Sequence, residues 1–227
     1  MNDNNYKKEL KEKFESLWET HSEHTDNHKV SKWDERAVEW NDAFISKSDR
    51  DKGRNRAIKS FLLRKGVLTQ STTVIDVGAG MGLTALELAD SVKSIRALDF
   101  SKNMCSFGSA LMERNGIRNV TFDVCDFNSV NIDSNGWKGS FDLAFASISP
   151  AIRSLKAFEK FIALSRGYCC NVSFIHRSKH TDKQTHDDFL SFYAMINILY
   201  LNGYYPEVEY YTDPDSKSMY GIALWKV

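Results

Sequence analysis

Residues 74–90 read VIDVGAGMGLTALELAD, and this stretch restricts the fold more tightly than any other in the chain. A run of β-branched residues carries one acid, Asp76. It runs into Gly78, Gly80 and Gly82, and a helical pattern follows at once. Glycine tolerates positive φ and lets a ligand touch bare backbone. The segment therefore reads as strand, tight turn and helix, with something lying close to the turn.

The flanking sequence repeats that alternation. Strand patterns occupy 72–78, 94–100, 119–127, 141–148, 167–175, 207–212 and 220–227, with helical patterns between most of them. Such a series predicts an α/β fold, with a mostly parallel sheet covered by helices on both faces. The last two strands, joined by DPDSKSM, read as an antiparallel C-terminal hairpin. Three helices precede the sheet. The first, over 5–20, carries the stripe Leu10, Phe14, Leu17 and Trp18. The second starts near Lys32, where Ser31 and Asp34 resemble a capping box, and carries Trp33, Ala37, Trp40 and Phe44. The third, about 54–65, stops at Gly66. A helical cap over 1–52 and a main domain over 53–227 follow from this order.

Lys plus Arg and Asp plus Glu balance at 30 each, so no net charge draws the chain to nucleic acid or an acidic membrane. The basic stretch RDKGRNRAIKSFLLRKG reads mostly as the solvated face of a helix. The polar N-terminus has no apolar signal core. No apolar run reaches the roughly 20 residues of a membrane span. Cys105, Cys125, Cys169 and Cys170 form no C-x-x-C pair. Adjacent Cys169 and Cys170 point to opposite faces of a strand. These features predict a cytoplasmic protein with reduced, mostly buried thiols.

The spacing G-x-G-x-G differs from the dinucleotide fingerprint G-x-G-x-x-G, and no P-loop lysine follows. Asp76 is a poor neighbour for a pyrophosphate and a good one for an ammonium group. Asp99 ends the second strand, where an acid accepts ribose hydroxyls. Asp126 ends the third, where a carboxylate can receive an exocyclic amine. A cationic end, a ribose and a purine without phosphate describe S-adenosylmethionine.

These residues resemble class I S-adenosylmethionine-dependent methyltransferases. The likeness rests on Asp76-x-Gly78-x-Gly80-x-Gly82, on Asp99-Phe100-Ser101 with Met104, and on Cys125-Asp126-Phe127, and it spans about 54–175. It implies a seven-stranded Rossmann-like sheet. It implies that Gly78, Ala79, Gly80 and Gly82 pass beneath the methionine part of the cofactor, with Asp76 near its amino group. Asp99 would hold the ribose, Phe100 and Met104 would flank the adenine, and Asp126 beside Phe127 would accept from its amine. Ser147 would lie near the transferred methyl. Trp33 would close over the cofactor, although packing on the sheet explains it as well. The product would be S-adenosylhomocysteine.

The acceptor is read from ASISPAIR after the fourth strand. Amino-methylating nucleic-acid enzymes of this fold carry Asn or Asp, two prolines and an aromatic there, and cytosine C5 enzymes carry Pro-Cys. Ser149-Pro150-Ala151 is neither, so a small-molecule methyl acceptor with an O, N or S nucleophile is expected. His176 and His180, just after the fifth strand, are the candidate general bases. Arg177 is a candidate for holding an acidic substrate, or else a solvated arginine. His21, His24 and His28 share a helical face and suit either a metal or a solvated linker; no metal is assigned. An RNA-modifying methyltransferase using Lys47–Lys65, a non-catalytic cofactor- or metal-binding module, and a nicotinamide dehydrogenase are the rival readings. The oligomeric state is open, a homodimer included.

Overall fold

The computed structural model describes residues 3–22, 29–46, 52–178 and 182–227. Helices α1 (Asp3–Ser22), α2 (Val30–Ser46) and α3 (Lys52–Arg64) precede the sheet. Its strands are β1 (Thr73–Val77), β2 (Ser94–Asp99), β3 (Val120–Val124), β4 (Phe141–Ser147), β5 (Ser165–His176), β6 (Glu207–Thr212) and β7 (Met219–Lys226). Between them lie α4 (Leu83–Leu88), α5 (Lys102–Arg114), α6 (Leu155–Ala163) and α7 (Asp182–Leu201).

The seven strands form one sheet in the order β3-β2-β1-β4-β5-β7-β6. β1 to β5 pair in parallel, while β7 runs antiparallel to β5 and to β6. The chain moves outward from β1 to β3, then returns to β4 beside β1. The switch point therefore lies between β1 and β4, and the crevice beyond their carboxyl ends is where such sheets bind ligands.

Side-chain alternation splits the core into two layers. Ile75, Val77 and Cys169 pack with Trp18, Phe158, Phe161 and Phe192, from α1, α6 and α7. Val74 and Cys170 pack with Ile58, Leu62, Leu88 and Leu111, from α3, α4 and α5. Adjacent Cys169 and Cys170 thus serve opposite faces, as expected. All four cysteines are free, and burial pushes every thiol up, Cys105 to about 12. Thiolate chemistry gains no support from these surroundings.

The N-terminal helices dock on both sides of the crevice. α1 lies along α7, and Trp18 meets Phe158 edge-on at 4.5 Å. α2 lies on α5, where Trp33 and Ala37 pack with Met81 and Met104. Here the expected capping box gives way. Ser31 lies inside α2, and Asp34 accepts instead from the Ser101 hydroxyl at 2.5 Å and the Asn103 amide at 3.3 Å. A tertiary partner outbids the local one.

Two strand ends also differ from expectation. β3 stops at Val124 because its sole partner β2 ends at the paired Asp99, which leaves Asp126 in the next turn. β5 runs through His176, which pairs with Met219, so the histidine belongs to the strand. No described helix is long and apolar enough to cross a membrane.

Candidate active site

The loop after β1 is held in left-handed backbone. Gly78, Gly80 and Gly82 have φ of 73°, 56° and 70°. At Gly78 the requirement is double, since a Cβ there would come within 2.0 Å of Ser149 Oγ. The β1 loop and the β4 loop therefore touch at this glycine. The amides of Gly78 and Ala79 both donate to the Leu98 carbonyl, at 2.8 and 2.9 Å. This pins the loop to β2.

Asp99 is the hub. It is buried, and its two carboxylate oxygens accept from Gly80 N at 2.8 Å and Ser101 N at 2.9 Å. Ser101 is also buried, and its hydroxyl caps α5 by accepting from Met104 N at 3.1 Å. One acid thus joins the glycine loop to the start of α5. Burial raises the Asp99 carboxyl above the usual range, and Asp34 adds to the rise; the amides of Ser101 and Gly80 work against it.

Asp76, at the end of β1, is only 3% exposed, and among the described residues no hydrogen-bond donor reaches its carboxylate. Burial, and then the charge of Asp99, push its carboxyl up to about 8. An uncompensated buried acid is costly, and a cation set beside it restores ionisation. Between pH 3.8 and about 8 the folded chain holds a proton at Asp76 that the unfolded chain releases. Stability should therefore fall as pH rises through that window. Thermal melts of the ligand-free chain from pH 5 to 8 should show this fall, and Asp76→Asn should flatten it.

The β4 side contributes three features. Ser147 ends β4 with a buried hydroxyl that has no hydrogen-bond partner among the described residues. Ile148 follows at φ 53°, an outlier for a β-branched residue, and strain of that kind gathers at ligand sites. Ser149 then starts a single 3-10 turn by accepting from Ala151 N. Beyond them lies a cavity lined by Ile148, Ser149, Arg153, Asn171 and Phe192, with Trp18 of α1 on its wall.

Other expected residues take these places. Ala79 and Phe100 are half-buried beside the loop, and Met104 is buried beneath Gly80. Asp126 is exposed and accepts from Asn128 N. Phe127 is buried in the core, with the Lys160 ammonium 5.1 Å from its ring centre. Trp33 stands over Met81 and Met104. His176 is exposed and is not on the cavity wall; His180 lies outside the described residues, as do His24 and His28. Arg177 is committed to Asp188 at 2.6 Å and stacks on Phe174. The sequence places Asp34 in a capping box and Trp18 in an apolar stripe, and marks neither these nor Arg153 as site residues.

Four residues of the basic stretch are engaged within the chain, while Arg56 is exposed. Lys59 pairs with Asp90 at 2.7 Å, Arg64 with Glu209 and Lys65 with Glu207, while Arg54 is buried over Tyr220. Residues 47–51 lie outside the described residues.

A family described as a methyltransferase domain matches residues 68–195. EEF1A lysine methyltransferase 2 of Homo sapiens is 25% identical over 119 residues, 50% of each chain. The chain thus spans about half the length of that curated relative. A SAM-dependent methyltransferase from Aquifex aeolicus superposes with a TM-score of 0.57 at 18% identity, over 74% of this chain and 89% of its own. Magnesium protoporphyrin IX methyltransferase from Synechocystis gives 0.56 at 14%, over 79% and 85%. At these identities the two structures speak for the fold.

Proposed function

Because the chain belongs to the methyltransferase domain family that its residues 68–195 match, we propose that it moves a methyl group from S-adenosylmethionine to an O, N or S atom of a small molecule. The observation that carries the cofactor is Asp76, a buried carboxylate with no donor among the described residues, beside a left-handed glycine loop. The Synechocystis relative was solved with bound SAH. When bound, the cofactor supplies a methyl already activated on a sulfonium.

The chain's own residues position it. Asp76 faces the amino group, while Gly78, Ala79, Gly80 and Gly82 bring backbone against the methionine part. Asp99, kept in place by the Gly80 and Ser101 amides, offers its remaining lone pairs to the ribose hydroxyls. Phe100 and Met104 line the adenine, Trp33 covers it from α2, and Asp126 takes the adenine amine with Phe127 packed beneath. Ser147 offers its unpartnered hydroxyl near the reacting methyl. His176 or His180, where β5 leads to α7, removes the acceptor's proton. Residues 1–52 form the cap in this reading.

A small acceptor is favoured by two observations. The cavity beyond β4 is walled by Trp18 of the cap, which leaves little room for a polymer. Four basic residues of the stretch that would have gripped RNA are engaged elsewhere: Lys59, Arg64 and Lys65 are paired with acids and Arg54 is buried. Incubating the chain with methyl-labelled S-adenosylmethionine and separated metabolite, RNA and protein fractions of a cell extract tests this. Label should enter the metabolite fraction. Label confined to RNA, or to protein as the name of the human relative suggests, would overturn the small-molecule reading.

A further inference from the structure

We propose that Arg153 anchors a carboxylate of the methyl acceptor in the cavity beyond β4 and β5; this rests on the methyltransferase reading and narrows its substrate class. Arg153 sits between the 3-10 turn of Pro150–Ile152 and α6, and it lines the cavity. It is half-buried, and among the described residues no acidic group or other acceptor lies within bonding distance of its guanidinium.

Among the described residues, the one other charged side chain that lines this cavity belongs to a pair. Asp188 also lines the cavity, but Arg177 holds both of its oxygens, at 2.6 and 3.0 Å. The Arg177–Asp188 pair is neutral in sum, so Arg153 leaves one positive charge over. Burial and the nearby Arg177 both press against that charge, and Asp188 compensates only in part. A group that brings one negative charge would relieve both. The guanidinium fork matches a carboxylate in shape and bonds it through two parallel N–H groups.

The rest of the cavity selects the rest of the molecule. Ile148, Ile152, Phe192, Met195 and Trp18 share its wall with the polar Ser149, Asn171, Ser173 and Ser191, so the lining is mixed. Its mouth is shared with the cofactor loop, because Ser149 lines the cavity and also abuts Gly78. An acceptor held by its carboxylate at Arg153 would extend past Ser149 towards the methyl. A lysine ammonium would meet Arg153 as a like charge, which counts against a lysine acceptor.

The test uses the whole chain, saturated with S-adenosylhomocysteine, and titration calorimetry with benzoate, phenylacetate and cinnamate. Each acid is compared with its neutral amide. At least one acid should bind, and should do so about tenfold or more tighter than its amide. Arg153→Gln should erase that preference and Arg153→Lys should keep part of it. Equal binding of acid and amide, no binding by any of the three acids up to about 10 mM, or an undiminished preference in R153Q would overturn the proposal. Comparing acid with amide on the unaltered chain does not depend on either variant folding. If S-adenosylhomocysteine itself fails to bind the unaltered chain, the methyltransferase reading has failed instead.

Discussion

Asp99→Ala should weaken S-adenosylhomocysteine binding by at least about a hundredfold. Two hydrogen bonds from ribose hydroxyls to a charged acceptor contribute about 1.5–3 kcal/mol each, and every 1.4 kcal/mol is about tenfold. The same carboxylate fixes the loop by accepting from Gly80 N and the start of α5 by accepting from Ser101 N. Its loss therefore removes both the ligand's partner and the clamp that shapes the loop. The fold should survive, because Asp99 is itself a desolvated acid whose removal offsets part of the loss. Titration calorimetry with a parallel circular-dichroism melt separates the two effects. Binding within about threefold of the unaltered chain would remove Asp99 from the site.

Gly78→Ala should cost about 3 kcal/mol of stability. Left-handed backbone at a residue with a Cβ costs about 1–2 kcal/mol, and forcing an extra methyl into packed surroundings adds about 1–3. The new Cβ would fall 2.0 Å from Ser149 Oγ and 2.9 Å from its Cβ. Gly136 is the control. Its φ is 65°, yet nothing lies within 4 Å of an added Cβ, so Gly136→Ala should cost about 1–2 kcal/mol. Adding Ser149→Gly to G78A should recover the excess, since the two sites are in contact. Urea midpoints measure all four chains. Equal losses for G78A and G136A would mean that the β1 and β4 loops do not meet at Gly78.

Much of this architecture is written in local signals. A buried parallel strand is a short apolar run, and a turn that needs positive φ selects glycine, so β1 and its loop stand out from VIDVGAGMG alone. Asp99 was legible for the same reason, as an acid closing an apolar strand. What depends on partners was not. β3 ends where β2 stops supplying hydrogen bonds, although the pattern of NVTFDVCDF continues to Phe127. Asp34 looked like the third residue of a capping box, and only the approach of α5 turns it to Ser101 and Asn103. Along the chain Arg177 stood out as the arginine to hold an acidic substrate, and Arg153 did not. The fold gives Arg177 an acid from α7 and, among the described residues, leaves Arg153 without one. Identity at such positions says little until the neighbours from distant segments are known.

The cofactor site is tested most directly by thermal unfolding of the intact chain with S-adenosylhomocysteine, and with NAD as the control. A ligand at about 100 times its Kd adds about 2.7 kcal/mol to the folded state. For a chain of this size that raises the melting temperature by about 5–11 °C. A rise with S-adenosylhomocysteine and none with NAD is the expected result. No rise with either, or a rise with NAD alone, would contradict the assignment of Asp76, Asp99 and the glycine loop to S-adenosylmethionine.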